Sequence, residues 1–297
     1  MSRSIPSLTS RRIVLAVLLL GGCRSAELAL YYEGEAQLRK AEYSEAYRTF
    51  TLYLAADPGS ADGYYNRGIA AAGLNMVSEA DSDFSRAILL NPDAADAHWM
   101  RYKIRTIIRD AVADPAPTRP FEGPVKEARS YALTVLMLED LTAVLKIDPD
   151  NLTARGERGA LLATLGRYDD AKQDLNSVLF REPWDVWTRN ERGRLWHAMG
   201  LYETAVDDYD IALSSCDTCT WLLYNKALSL KAGGEMALAV ETLRLLVTMD
   251  NRDGEAWFMI GECELQLGHQ TRACEALTLS LKLGVEEAQR LVDSLCH

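Results

Sequence analysis

The sequence lacks most of the residues and motifs on which catalytic and metal sites are built. Its 297 residues include only four histidines, and none of them lies in an H-E-x-x-H motif. There is no G-x-S-x-G nucleophile motif and no glycine-rich phosphate-binding loop. A zinc site usually needs four ligands, and neither a second C-x-x-C pair nor a histidine cluster is present. We therefore predict a protein without enzymatic activity, cofactor or metal ion.

Basic residues are fewer than acidic ones. Lys and Arg number 32 against 43 Asp and Glu, which gives a formal net charge of −11. Three of the arginines, Arg3, Arg11 and Arg12, lie before Cys23 in a stretch without any acidic residue, so the remainder is still more acidic. Nucleic-acid binding requires a basic face. We therefore expect no nucleic-acid partner, and the charge favours cationic or neutral partner surfaces.

A long apolar run that could cross a membrane is missing too. The run Ile13–Leu20 is far shorter than the ~20 residues of a membrane-spanning helix. Together with the preceding arginines it predicts a targeting signal rather than part of the fold.

The end of that signal, Leu20-Gly21-Gly22-Cys23, resembles the bacterial lipobox, in which cleavage precedes a cysteine that becomes lipidated. The resemblance implies a signal peptide over 1–22, lipidation of Cys23 and a short linker over 23–26. It also implies a lipid-anchored protein of the bacterial cell envelope, and Arg24 after the cysteine points to the outer membrane, facing the periplasm. An ordinary secretory signal and a twin-arginine signal, which Ser10-Arg11-Arg12 partly matches, are the alternatives.

Beyond the signal, small residues recur at a fixed step of 34. This period predicts a solenoid of helix-turn-helix units, because one helix pair cannot bury its own apolar face and must stack on its neighbours. Prolines follow the same step, except that the gap from Pro92 to Pro149 is longer than one step. The series are Gly34, Gly68, Gly159, Gly193, Ala227 and Gly261, then Ala46, Ala80, Ala171, Ala205, Ala239 and Ala273.

With this spacing, the chain resembles the tetratricopeptide-repeat family over nearly all of residues 27–284. We predict an all-α, right-handed α-solenoid of about seven repeats, with a capping helix over 285–297. The third repeat carries a proline-rich insertion around 112–126, because four prolines in so short a stretch cannot continue a helix. The predicted repeats are 27–60, 61–94, 95–151, 152–185, 186–219, 220–253 and 254–284.

The cysteines suggest disulfides, since an exported protein meets an oxidising compartment. Cys274 and Cys296 lie on either side of Gly284, and a helical hairpin turning there would bring them together in a disulfide that locks the cap; two buried thiols are the alternative. Cys216 and Cys219 form a C-x-x-C pair in a predicted turn. That pair is compatible with a local disulfide, free thiols or thiol or metal chemistry, although the βαβ context of thioredoxin-type sites is absent.

The resemblance also implies where a partner would bind, because first helices line the concave face in the similar family. Three residues before the repeat glycine, most repeats carry an aromatic ring, and nearby asparagines could offer amides to a partner backbone. A core role for these rings is the alternative. Arginines just before the repeat glycine could form a second binding row or pair with acids inside the array. The groove residues are Tyr31, Tyr65, Asn66, Trp99, Asn190, Tyr224, Asn225 and Phe258; the arginines are Arg67, Arg101, Arg158 and Arg192.

The resulting hypothesis is a membrane-tethered, non-enzymatic scaffold or adaptor that binds a protein or peptide segment in its groove. The alternatives are a thiol-active or metal-dependent envelope protein using Cys216 and Cys219, and a pilotin-like assembly factor.

Overall fold

The computed structural model of the protein describes residues 26–113 and 123–296, which form α-helices joined by short connections, without a β-strand. The predicted signal peptide, the lipidation site at Cys23 and most of the proline-rich insertion lie outside these residues. In chain order the helices are α1 (26–39), α2 (Tyr43–Ala56), α3 (Ala61–Gly73), α4 (Val77–Leu90), α5 (Ala95–Ala113), α6 (Gly123–Ile147), α7 (Leu152–Thr164), α8 (Tyr168–Arg181), α9 (Val186–Ala198), α10 (Tyr202–Leu213), α11 (Thr220–Ala232), α12 (Met236–Met249), α13 (Gly254–Gln266), α14 (Gln270–Lys282) and α15 (Glu287–Leu295).

The helices group into two compact units, one ending at Ala154 and the other beginning at Arg155. Consecutive helices from α2 to α6 pack against each other in the first unit, and consecutive helices from α8 to α15 do the same in the second. The prediction of an all-α helical-repeat fold is confirmed. The division of the chain into signal peptide, linker, array and cap stays a prediction.

The turn inside six of the helix pairs uses one left-handed residue, and the step of 34 recurs among these residues. Gly166, Gly200, Gly234 and Gly268 occupy this place with φ between +74° and +88°. Glycine lacks the Cβ that makes this conformation unfavourable for other residues. In the first two repeats Ala41 and Asn75 adopt it instead, each with φ of +58°.

The two helices of a pair approach each other through a second recurring contact, between the repeat glycine and the residue 16 positions later. A Cβ added at Gly68 would lie 2.8 Å from the Phe84 ring, and one at Gly193 would lie 2.6 Å from Tyr209. Gly34, Gly159 and Gly261 meet Phe50, Leu175 and Leu277 in the same way. The spacing of small residues in the sequence therefore records a close approach to a large buried side chain on the second helix.

The third repeat departs from this pattern. Buried Tyr102 stands in the glycine position, and its helices, α5 and α6, are 19 and 25 residues long. Both helices extend further into the insertion than expected: α5 ends at Ala113 and α6 begins at Gly123. Pro124 does not prevent this start, because proline is tolerated in the first turn, where its missing N–H would have no partner in the helix.

The chain ends in α15, which packs against α14. Gly284, with φ of +99°, precedes it, and Ala288 is its fully buried residue. The side-chain amide of Gln270 on α14 donates to the Leu295 carbonyl at 2.7 Å. None of the helices in the described ranges combines the length and apolar character needed to cross a membrane.

Candidate partner-binding surface

The predicted ring row consists of Tyr31, Tyr65, Trp99, Tyr224 and Phe258, and the structure places each ring on the first helix of its repeat. All five side chains are partly buried. The Tyr31 ring lies 6.0 Å from the Phe50 ring and the Tyr65 ring 5.8 Å from the Phe84 ring, between centroids. Each tyrosine thus packs on a buried phenylalanine of its own repeat and leaves part of its ring accessible.

The other rings have similar surroundings. Trp99 stacks on Tyr102 with 5.3 Å between centroids. Tyr224 packs against the apolar cluster that joins α11, α12 and α13. The row therefore combines the two roles considered for it from the sequence, because four of its rings have buried neighbours and all five keep an accessible part.

Two repeats of the second unit carry no ring in the row, at Gly156 and Asn190, and the structure shows how the first of these is filled. The Trp187 ring lies against Gly156, so a Cβ added there would be 3.0 Å from the indole. Trp221 occupies the same position in the following repeat, and the two tryptophans are 38% and 42% exposed. Reasoning from the sequence missed these tryptophans, which could have been found by comparing each row position with the residue 31 positions later.

The asparagines near the row bond to neighbouring repeats. The Asn66 amide donates to the Tyr31 hydroxyl at 3.3 Å, and the Asn225 amide donates to the Asn190 side-chain oxygen at 2.7 Å. Asn190 also donates to Glu191 at 2.9 Å and is only 5% exposed. Asn190 therefore supports the row from within, and its amide does not face outward as the sequence suggested.

The arginines that precede the repeat glycines pair with buried aspartates inside the array. Arg67, Arg158 and Arg192 each make a two-point contact with the aspartate 16 residues later, at 2.7–2.8 Å. Such forked guanidinium–carboxylate contacts fix geometry as well as charge. We call each pair a brace. The acceptors are Asp83, Asp174 and Asp208, which are at most 4% exposed.

The brace of the third repeat is larger and spans the insertion. Asp140 is fully buried and accepts from Arg101, from Arg105 Nη1 at 2.8 Å and from His98 Nδ1 at 3.1 Å. Burial by itself would raise the pKa of Asp140, but the hydrogen bonds from His98 and Arg101 and the two arginine charges outweigh it and lower that pKa. Arg101 and Asp140 are 39 positions apart in the chain instead of 16, because the insertion lies between them.

The braces also reach backward to the preceding repeat. Arg101 donates to Ser85 at 3.1 Å and Arg192 to Asn176 at 2.7 Å, both 16 residues earlier. The arginines therefore hold helices together, as in the internal pairing considered from the sequence. The ring row remains the candidate binding surface.

Both predicted cysteine pairs lie in disulfide geometry. Cys216 and Cys219, in the turn before α11, have Cα atoms 5.5 Å apart, and Cys274 and Cys296 have Cα atoms 5.4 Å apart. Cys263 is a buried free thiol, and burial raises its pKa. Within the residues that the structure describes, no group of three His, Cys, Asp or Glu side chains is placed to hold a metal ion.

Comparison with known proteins supports the fold. No protein-family model and no curated protein sequence matches the chain. Among solved structures, a tetratricopeptide repeat protein from Parabacteroides merdae aligns with a TM-score of 0.62 and 16% identity over 92% of this chain and all of its own. The C-terminal part of a TPR repeat-containing protein from Cytophaga hutchinsonii aligns with a TM-score of 0.63 and 16% identity over 88% of this chain and 98% of its own. Pseudomonas aeruginosa pilF aligns with a TM-score of 0.55 and 16% identity over 80% of this chain and 98% of its own. These similarities, together with the recurring glycine and alanine positions, show that the chain has the fold of the tetratricopeptide repeat proteins.

Proposed function

We propose that this protein is a non-enzymatic scaffold of the bacterial cell envelope, tethered to a membrane through a lipid on Cys23, that binds partner-protein segments on the rings of the row that each unit presents. Its repeat fold is in general one of protein-interaction scaffolds. The tether rests on the lipobox-like sequence that precedes the first repeat.

The observation that carries the proposal is the partly exposed state of the rings. Tyr31, Tyr65, Trp99, Tyr224 and Phe258 all keep accessible surface at one repeat position. Aromatic side chains that are held rigidly on one side and open on the other are the residues that dominate binding energy in protein interfaces.

The test is capture of the partner from envelope extracts by the full chain carrying Tyr65→Ala and Trp99→Ala. We expect partner binding to weaken by about 2 kcal/mol or more, as for buried aromatic anchors. Partner affinity would be measured by titration once the captured protein is identified.

A matched control is Tyr131→Ala. Tyr131 is a more exposed aromatic of the same unit, at 62%, and lies on α6, the second helix of its repeat, whereas the row lies on first helices. It should leave capture unchanged. Circular dichroism of each variant at the assay temperature separates lost binding from lost folding; a folded double variant with normal binding would place the binding surface elsewhere.

The tether has its own test. We expect Cys23→Ser to release the protein from the membrane fraction and to leave the helical array folded. A variant that still sediments with membranes after a high-salt wash would contradict the lipid anchor.

The thiol alternative predicts a different result. If Cys216 and Cys219 act in redox or metal chemistry, the purified protein should contain reactive thiols or bound metal in proportion to protein. A thiol titration that finds both cysteines oxidised and inert, together with a metal-free protein, leaves the scaffold.

A further inference from the structure

Each tyrosine of the row in the first unit has a carboxylate beside it, contributed by the repeat that follows. Asp62 and Asp96 are each the second residue of a first helix, and they follow Tyr31 and Tyr65 by 31 positions. Asn66, one turn after Asp62 on α3, donates to the Tyr31 hydroxyl at 3.3 Å. That contact places the first turns of α3 against the Tyr31 ring.

The second unit shows independently that this helix position reaches the row of the preceding repeat. Trp187 is the second residue of α9, and its indole lies over Gly156, 31 positions earlier. Further along, Tyr224 is followed at the same interval by Glu255, the second residue of α13. Where the row holds a tyrosine, the neighbouring position is acidic; where the row holds glycine or asparagine, it is tryptophan.

The carboxylates are close enough to act on the rings electrostatically. Burial is the main cause that raises the pKa of Tyr31 and Tyr65, and the negative charges of Glu35 and Asp62 on the first and of Asp96 on the second raise it further. The pKa of Tyr224 is raised by burial and then by the charge of Glu255.

Asp62 and Asp96 keep their negative charge open to solvent. Asp62 and Asp96 are exposed, and among the described residues neither makes an ion pair. Glu35 pairs with Arg39 at 3.7 Å, and the arginine side chain is 69% exposed. By contrast, the brace aspartates Asp83 and Asp140 are buried against arginines. The row of the first unit therefore presents accessible aromatic rings beside unbalanced negative charge.

A cationic side chain of a partner can contact both the aromatic ring and the carboxylate beside it. A guanidinium can stack on the face of an aromatic ring, and its N–H groups can donate to the adjacent carboxylate in charge-assisted hydrogen bonds. The flat, delocalised guanidinium suits this arrangement better than an ammonium ion. A formal net charge of −11 also attracts a basic segment from a distance.

We propose that the Tyr31–Asp62 and Tyr65–Asp96 pairs bind two cationic side chains, arginine in preference to lysine, of an extended partner segment. This inference rests on the proposed function, since it names the chemistry of the segment that the ring row receives.

The experiment uses the purified full chain and short fluorescein-labelled alanine–proline peptides that carry two arginines at increasing separation, read by fluorescence anisotropy. Matched peptides replace each arginine by lysine or by citrulline, which keeps the shape of arginine and removes its charge. We expect one arginine spacing to bind best, lysine to bind less tightly, and citrulline to lose about tenfold or more in affinity.

The protein variants are Asp62→Asn with Asp96→Asn, and as a matched control Glu45→Gln with Glu79→Gln. The control pair removes the same charge from the first turns of the second helices α2 and α4. We expect about a tenfold loss of arginine-peptide affinity in the aspartate variant. The control should stay within about twofold of the original protein, with both variants melting like the original.

Three results would overturn the proposal: equal losses in both variants, equal binding of arginine and citrulline peptides, or no binding of any arginine peptide. If capture of the natural partner then still depends on Tyr65 and Trp99 and not on Asp62 and Asp96, the ring row remains the binding surface and only its cationic ligand is rejected.

Discussion

The four middle repeats and the two C-terminal repeats carry different residues at one pair of positions, one on each helix of the repeat. In the middle repeats these positions hold an arginine and a buried aspartate, as in Arg192 and Asp208. In the next repeat they hold Lys226 and Thr242, and in the last Ile260 and Ala276. There an apolar cluster joins the helices, with Leu223, Leu243, Leu246, Met259 and Ile260 among its buried members.

The difference shows that the repeat does not require an ion pair at these two positions, because apolar packing joins the helices where the pair is missing. The two solutions differ in what happens when one member is removed. Removing either the carboxylate or the guanidinium of a buried ion pair leaves the other charge uncompensated. Replacing an apolar side chain with a smaller one leaves a cavity. The following predictions test this comparison.

The largest effect is expected for Asp140→Ala. This change leaves Arg101, Arg105 and His98 around a site that has lost its carboxylate. Breaking a buried ion pair by removing one partner typically costs about 3–5 kcal/mol, and we expect a loss of that size in urea unfolding followed by circular dichroism. Asp81→Ala is the control: Asp81 binds the same Arg105 at 2.9 Å but is more exposed, so about 1 kcal/mol or less should be lost. Equal losses would contradict a special role of the buried carboxylate.

The acid sensitivity of the same site follows from the lowered pKa of Asp140. The folded carboxyl binds its proton less readily than the unfolded one, so its contribution is complete above the unfolded pKa of about 3.9. That contribution is lost as the pH falls through the lower folded pKa. We expect the unfolding free energy of the original protein to fall as the pH is lowered from 5 to 3, and to fall less steeply in Asp140→Asn. Glu264→Gln should flatten the profile likewise, because hydrogen bonds from His269 and Arg244 outweigh burial and lower the pKa of Glu264.

The second-largest effect concerns the C-terminal repeats, where a disulfide ties α14 to the residue that follows α15. Cys274→Ala with Cys296→Ala opens a link between residues 22 positions apart. On the chain-entropy model this change lowers the free energy of unfolding by about 3 kcal/mol. We expect hydrogen-exchange measurements to show lost protection in α15, and thermal unfolding to show lower stability of α14. Cys216→Ala with Cys219→Ala opens a link of only three positions and should cost less. A larger loss from the second pair would show that the turn before α11 depends on its disulfide for more than chain entropy.

The smallest loss of stability is expected at the turn glycines, and it should be equal in the middle and the C-terminal repeats. Gly200 and Gly234 adopt φ of +75° and +88°, and a Cβ at either would meet no atom within 4 Å. Alanine at either position should therefore cost only the left-handed backbone penalty of about 1 kcal/mol. Ala41→Gly should stabilise the first repeat by a similar amount, since Ala41 already has φ of +58°. Thermal unfolding would measure all three, and unequal losses at Gly200 and Gly234 would mean that the turn is not equivalent in the two regions.

The regular step between small residues was enough to predict the helices, because it records the close contact of each small residue with a side chain 16 positions later, as at Gly193 and Tyr209. The partner of Arg101 could not be assigned from spacing, because the insertion displaces Asp140 from the usual position. Trp187 was missed for a related reason, since it fills the place of Gly156 from the following repeat. The burial of Asn190 depends on contacts between repeats that the period alone does not describe.

The brace between α5 and α6 has a practical consequence for protein engineering. Arg101 and Asp140 join these helices through a contact outside residues 114–122, so the pairing of the helices does not rest on the connecting chain alone. The entropy of closing a loop grows only slowly with its length. Residues 114–122 should therefore accept an epitope tag, a protease site or a small reporter domain while the melting temperature stays nearly unchanged, which would allow the protein to be followed or cut in living cells without altering its ring row.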